Sequence, residues 1–179
     1  LVQVNNFAIA DGAVSILLVA VYPFSKRFTY WPQFILGLTF NWGALLGWAA
    51  VRGEIQIPAI LLYIAGIFWT LGYDTIYALQ DKVDDAIIGI KSTTLALGER
   101  TRAWLYIFYS FAIFFMGLCG WFLELSWPFY VGLCCAAVQA IWQVKKLIMT
   151  SPNDCLAKFR SNRLFSWFFL GGIIASQIL

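Results

Sequence analysis

Residues 56–85 read QIPAILLYIAGIFWTLGYDTIYALQDKVDD. From Ile57 to Tyr73 the stretch carries no charge, and then Asp74, Asp81, Asp84 and Asp85 arrive within twelve residues. A helix needs about 20 apolar residues to cross the hydrocarbon region of a bilayer. The stretch therefore predicts a transmembrane helix that ends in carboxylates.

The rest of the chain has the same grain. Of 179 residues, 61% are hydrophobic and 12% charged, against about 25% charged in soluble domains. A mean hydropathy of +0.78 leaves too little polar surface for a water-soluble core. Six apolar spans are expected, over residues 4–22, 32–51, 56–78, 103–123, 127–147 and 162–179. The fold class is all-α, a polytopic transmembrane helix bundle, with residues 1–179 forming one membrane-embedded domain. Pro23, Pro32, Pro58, Pro128 and Pro152 fall at or near predicted helix ends, where proline is tolerated. The chain begins at Leu1, already in an apolar region, with no signal peptide in view. That start predicts a missing N-terminal part.

Loops of such a bundle alternate between the two membrane faces. Lys26, Arg27, Lys82, Lys91, Arg100, Arg102, Lys145, Lys146, Lys158, Arg160 and Arg163 fall on one face, and only Arg52 on the other. The positive-inside rule makes the crowded face cytoplasmic in a bacterium, or the matrix side in a mitochondrion. These basic residues border a membrane and form no groove-sized patch, so nucleic acid is not an expected partner. Cys119, Cys134, Cys135 and Cys155 lack metal-binding spacing, and no histidine is present, which removes a zinc site. The nine tryptophans and eight tyrosines suit interfacial belts.

On one continuous helix, Asp74, Asp81 and Asp85 would fall within about 40° of one another. Carboxylates so crowded repel each other, and burial near a bilayer adds a cost of several kcal/mol. A divalent cation removes the conflict, and Mg²⁺ takes carboxylates together with substrate phosphates. Asp81 and Asp85, at i and i+4, could share one ion. An acidic helix end in water and a proton or cation relay are the competing readings.

Cations gather on the same face. Lys26 and Arg27 follow Tyr22-Pro23, and Lys91, Ser92 and Thr93 follow the aspartates. Ser92 or Thr93 can cap a short helix running to Gly98, whose start would suit an anion. Carboxylates for a metal, with cations and amides for a phosphate, fit a diphosphate ester held through Mg²⁺. Lys26 and Arg27 also suit plain positive-inside anchoring, and Lys91 and Ser92 a plain loop. Asn41, at membrane depth, either meets a substrate or bonds helix to helix. Gly37, Gly43 and Gly47 read as close helix packing.

The run from Tyr73 through Asp85 into Gly89-Ile90-Lys91-Ser92-Thr93 resembles the second aspartate-rich region of the UbiA family of membrane prenyltransferases. Tyr22-Pro23 with Lys26-Arg27, and Tyr30-Trp31-Pro32-Gln33 through Gly37-Leu38-Thr39-Phe40-Asn41-Trp42-Gly43-Ala44, resemble the stretch before it. Residues 22–100 carry the specific likeness, and Ser161-Asn162-Arg163 also fits. The resemblance implies nine helices around a lipid-open cavity, of which this chain would hold the last six. A first aspartate-rich motif would precede Leu1, and a chain without it could not hold a diphosphate as the whole family does.

Within the family, the branch that prenylates 4-hydroxybenzoate in ubiquinone synthesis is the most similar. That implies polyprenyl diphosphate and 4-hydroxybenzoate as substrates, Mg²⁺ as cofactor, the mitochondrial inner membrane, and the company of other ubiquinone-synthesis enzymes. On this resemblance Asp81 and Asp85 would hold the metal, with Asp84 beside them as an alternate ligand. Lys26, Arg27 and Lys91 would neutralise the diphosphate, or one of them hold the benzoate carboxylate. Tyr73 and Asp74 would face the acceptor ring or the allylic carbon. Tyr77, Phe40 and Trp69 would offer π faces to an allylic cation. Other acceptors in the family are homogentisate, naphthoate, and haem or chlorophyll precursors. A transporter or a non-catalytic membrane partner is the alternative from another class, since carboxylates at membrane depth also mark ion paths.

Overall fold

The computed structural model describes residues 4–178, which contain helices and no strand. Asn5 caps the first helix, α1 (Asn6–Val21), by accepting the Ala8 N–H at 2.9 Å. Its amide also donates to the carbonyls of Ala49 and Ala50, at 2.7 and 3.1 Å, and ties the start of α1 to the end of the second span. A 3₁₀ turn over Tyr22–Phe24 continues into α2 (Ser25–Phe28). The second span is broken into α3 (Pro32–Phe40) and α4 (Trp42–Arg52) at Asn41. Gly53 ends α4 at φ +74°, a conformation costly for any residue with a Cβ.

The central helix is α5 (Ile57–Ala78). Two short helices follow, α6 (Lys82–Ile88) and α7 (Thr93–Leu97), and then three long ones. These are α8 (Thr101–Phe122), α9 (Trp127–Lys145) and α10 (Pro152–Ile178). Among the described residues, five stretches are long and apolar enough to cross a membrane: Asn6–Phe28, Pro32–Arg52, Ile57–Ala78, Thr93–Phe122 and Trp127–Lys145. The span expected over 162–179 forms the back of α10, with residue 179 outside the described residues. The helix itself begins ten residues earlier, and Asp154, Lys158, Arg160 and Arg163 make its front half polar.

Helix α5 packs chiefly on α8, and α9 on α10. The α9–α10 contact is backbone to backbone: a Cβ on Gly132 would lie 2.8 Å from the Cα of Gly172. Gly37 likewise sits against the backbone of Ile67, where a Cβ would have 3.3 Å. Gly43 and Gly47, expected to pack the same way, face open space. The break at Asn41 lies between Gly37 on α3 and the other two glycines on α4. The aromatic belts are also partial. Trp121 and Trp127 are exposed beside the α8–α9 turn, whereas Trp69 stacks inside on Phe165 at 5.2 Å.

The basic face is held together by its own cations. Arg102 at the start of α8 donates to the carbonyls of Val144, at 2.7 Å, and Leu147, at 2.7 Å, capping the exit of α9. Asp154 accepts the Ile148 N–H at 2.7 Å and pairs with Lys158 at 3.1 Å, fixing the turn into α10. The Ile148 bond first, and Lys158 next, hold the Asp154 carboxyl below its ordinary range. Its contribution to stability is thus present above the ordinary aspartate value and lost as pH falls through the depressed one.

Arg102→Met leaves the last carbonyls of α9 without donors. It is expected to lower stability by about 2 kcal/mol, the scale of hydrogen bonds from a charged group. Thermal unfolding in detergent micelles measures it. Arg102→Lys should recover only part, because one ammonium replaces a forked donor.

Candidate active site

The aspartate run does not stay on one helix. Leu79 N–H is shared between the carbonyls of Thr75, at 3.2 Å, and Ile76, at 3.3 Å, which tightens and ends α5. Asp81 then takes the N-cap position of α6, and the Asp85 N–H bonds back to the Asp81 carbonyl at 2.8 Å. The single stripe expected for Asp74, Asp81 and Asp85 is therefore divided. Asp74 remains on α5 and is half-buried, while Asp81, Asp84 and Asp85 belong to a separate helix.

Asp81 and Asp84 are exposed, and Asp85 is 6% exposed. Asp85 Oδ2 is buried with no hydrogen-bond partner. Burial pushes the Asp85 carboxyl above the usual carboxylate range, the Lys26 charge opposes that, and Asp81 adds to it. Among the described residues no three Asp, Glu, His or Cys side chains converge as a ready metal cage. What the segment offers is one orphaned buried carboxylate oxygen with two exposed carboxylates beside it. A hard cation fits that donor set, completing its shell from a phosphate or water.

Lys26 and Arg27 are exposed on α2, and Lys26 lies within electrostatic reach of both Asp74 and Asp85. Arg27 rests over the Phe24 ring at 5.9 Å. Lys91 is tethered: its N–H bonds the Lys26 carbonyl at 3.2 Å, and Nζ bonds the Phe28 carbonyl at 3.3 Å above the Tyr30 ring. Thr93 Oγ1 bonds Gln33 Oε1 at 2.6 Å. The loop after the aspartates is thus docked on the loop after α1. Ser92 precedes α7, as the sequence suggested, but it is fully buried and its hydroxyl meets Thr94 Oγ1 at 3.0 Å. No side-chain cap forms at that helix start.

Asn41 serves the helix-to-helix reading directly. Its amide donates to the Gly37 carbonyl at 2.8 Å and to Thr70 Oγ1 at 2.8 Å. Thr70 in turn donates to the Tyr73 hydroxyl at 3.3 Å. Asn41 also lines an interior cavity of 330 Å³, together with Phe40, Leu62, Trp69, Met116 and Phe165. Tyr73 stands edge-on to Trp69, at 5.2 Å and 72°. A line of groups thus runs from the cavity wall at Trp69, through Tyr73, to Asp74 and the aspartates of α6.

Several buried polar side chains of this bundle have no role in a reading of the sequence, where Asn162 figures only within Ser161-Asn162-Arg163. Asn162 accepts from Trp69 Nε1 and from the Tyr109 hydroxyl, both at 3.2 Å. Gln143 donates to Tyr109 at 2.9 Å, and Gln139 to Gln143 at 3.0 Å. In α1, Asp11 is buried and accepts Trp42 Nε1 at 3.2 Å. The available signal was polarity at membrane depth, which favours an interior-facing side chain.

A profile of the UbiA prenyltransferase family matches residues 1–171. The chain is 48% identical over 180 residues to "4-hydroxybenzoate polyprenyltransferase, mitochondrial" of Caenorhabditis elegans, covering 100% of this chain and 51% of that protein. The protein of the same name from Arabidopsis thaliana is 48% identical over 178 residues, 99% of this chain and 44% of its own length. The Homo sapiens one is 45% identical over 179 residues, 99% of this chain and 48% of its own length. The chain thus spans about half the length of these curated relatives. Among solved structures, a UbiA homolog from Aeropyrum pernix K1 superposes with a TM-score of 0.80 at 20% identity, over 99% of this chain and 66% of that one. A digeranylgeranylglyceryl phosphate synthase gives 0.76 at 15%, over 99% and 64%. At such identity these two structures speak for the fold alone.

The space for Asn41 depends on Gly66, since a Cβ there would collide with the Asn41 carboxamide. Gly66→Ala is expected to drive Asn41 off Thr70 and cost about 1–3 kcal/mol, as overpacking does. Thermal unfolding in micelles reads the loss, and Asn41→Ala in the same background should relieve part of it.

Proposed function

Because the chain belongs to the UbiA prenyltransferase family, we propose that it is part of a membrane-embedded catalytic domain. That domain transfers a polyprenyl group from polyprenyl diphosphate to the ring of 4-hydroxybenzoate, for ubiquinone synthesis. The names and identities of the curated relatives support the acceptor and the pathway. The observation that carries the chemistry is the orphaned buried oxygen of Asp85 beside Asp81 and Asp84, on the face where Lys26, Arg27 and Lys91 gather.

Asp81 and Asp85 would hold Mg²⁺, with Asp84 as alternate ligand, and the ion when bound would offset the negative charge of the departing diphosphate. Lys26, Arg27 and Lys91 add positive charge around the same group. Breaking the allylic C–O bond leaves its electron pair on the diphosphate. The ring carbon ortho to the hydroxyl then attacks the allylic carbon and loses its proton. Tyr73 meets Trp69 of the cavity wall, and Asp74 shares the Lys26 charge with Asp85, so Tyr73 and Asp74 would face the ring and the allylic carbon. The apolar cavity beside Trp69 would take the near end of the chain. Mitochondrial names among the relatives, together with the one-sided charge, support an inner-membrane protein with this face toward the matrix.

The test is transfer of a polyprenyl group to labelled 4-hydroxybenzoate by the full-length protein in membranes, with and without Mg²⁺. Transfer that needs the metal supports the reading. No transfer by a folded, inserted protein overturns it in favour of another aromatic acceptor, and ion flux would be measured next. Asp81→Ala is expected to cut turnover by about a hundredfold or more, a few kcal/mol of lost charge stabilisation. Retained Mg²⁺-dependent turnover would remove Asp81 from the metal site. Lys91→Ala is expected to raise KM for the diphosphate roughly tenfold, as loss of one charged contact does; an unchanged KM returns Lys91 to a loop tether.

A further inference from the structure

We infer that Asn162 is a positioning residue for the proposed reaction, setting the plane of the Trp69 indole on the cavity wall. The inference rests on the function proposed above. Trp69 is the largest ring shared by the cavity and the line that leads to Tyr73 and Asp74. An indole N–H only donates, and in the bundle interior it has no water to turn to. Asn162 Oδ1 supplies its acceptor at 3.2 Å, from a side chain that is 6% exposed.

The orientation of Asn162 is itself determined. Its Nδ2 donates to the carbonyls of Lys158, at 3.3 Å, and Phe159, at 3.1 Å, in the preceding turn of α10. The oxygen therefore points to α5 and α8. Tyr109 gives its proton to that oxygen and accepts from Gln143, which in turn accepts from Gln139. Gln139, Gln143 and Tyr109 thus direct their donors one way, toward Asn162, while Ser161 gives its proton to the Lys158 carbonyl at 2.7 Å.

Two contacts then fix the indole. Phe165 stacks on its face at 5.2 Å and 17°, which sets the plane but leaves sliding free. The bond to Asn162, one turn before Phe165, stops the slide. Tyr73 meets the same ring edge-on. Loss of the Asn162 oxygen should let the indole swing, altering the cavity wall and the rest position of Tyr73 together. Helix α9 thereby reaches the chemistry without lining the cavity.

The test is a double-mutant cycle in the full-length protein in membranes, with kcat and both KM values measured. Asn162→Leu is expected to lower kcat about tenfold, the effect of one buried hydrogen bond that holds geometry. KM for the aromatic acceptor should stay nearly constant. In a Trp69→Phe background, the same substitution should cost less than about twofold, because the bond is already absent. An equal loss in both backgrounds makes Asn162 a packing residue and overturns the inference. A second readout needs no activity. In protein labelled with 5-fluorotryptophan, the ¹⁹F line missing from Trp69→Phe identifies Trp69. Asn162→Leu should shift or split that line, and an unmoved line overturns the inference. A wild type that transfers no prenyl group defeats the functional reading separately, and the ¹⁹F line still decides whether Asn162 holds the indole.

Discussion

At membrane depth a polar side chain has no water to fall back on, and that constraint organises this bundle around α5. Thr70, Tyr73 and Trp69 each need a partner: Asn41 serves Thr70 from the α3–α4 break, Thr70 serves Tyr73 within α5, and Asn162 serves Trp69 from α10. These bonds tie the α3–α4 break and α10 to one helix, on which α8 also packs. Association of apolar faces alone could not choose that arrangement, because lipid tails are as apolar as the helices they would leave.

Much of this was legible in the sequence. Long apolar runs separated by charged turns give the helices, and the eleven cations against one are the basis of the proposed orientation. The last span was harder. Its apolar part is short, and the polar turns from Pro152 to Arg163 look like loop until Asp154 and Lys158 are seen pairing along a helix. The break at Asn41 was hidden for a related reason. Gly37, Asn41, Gly43 and Gly47 are poor helix formers but single out no one position for a break; the Asn41 amide turns back to Gly37 and across to Thr70, and the helix divides there.

The proposed site is read from residue identity, and the structure revises its geometry. Asp74, Asp81, Asp84 and Asp85 stand out because carboxylates are rare beside a span, but the helical wheel that aligned them assumes a continuous helix. Leu79, Gln80 and Asp81 end that helix, through a shared N–H that composition does not announce. Gln139 and Gln143 were invisible for the opposite reason, as lone amides in an apolar stretch. Asn162 stood out only as part of Ser161-Asn162-Arg163, with no role attached, and only the tertiary arrangement joins the three amides into a network.

The break between α5 and α6 also divides one motif between two solvents. Asp74 and Tyr73 lie inside the bundle, while Asp81 and Asp84 stand in the open on a seven-residue helix that is too short to be stable alone. That helix keeps its place through the docked loop, by way of Lys91 on Phe28 and Thr93 on Gln33. A molecule that touches both ends of the motif must lie across the boundary, ionic at one end and oily at the other. The motif thus works as a gauge of amphiphilicity: a fully soluble anion reaches only its outer half, and a plain hydrocarbon only its inner half.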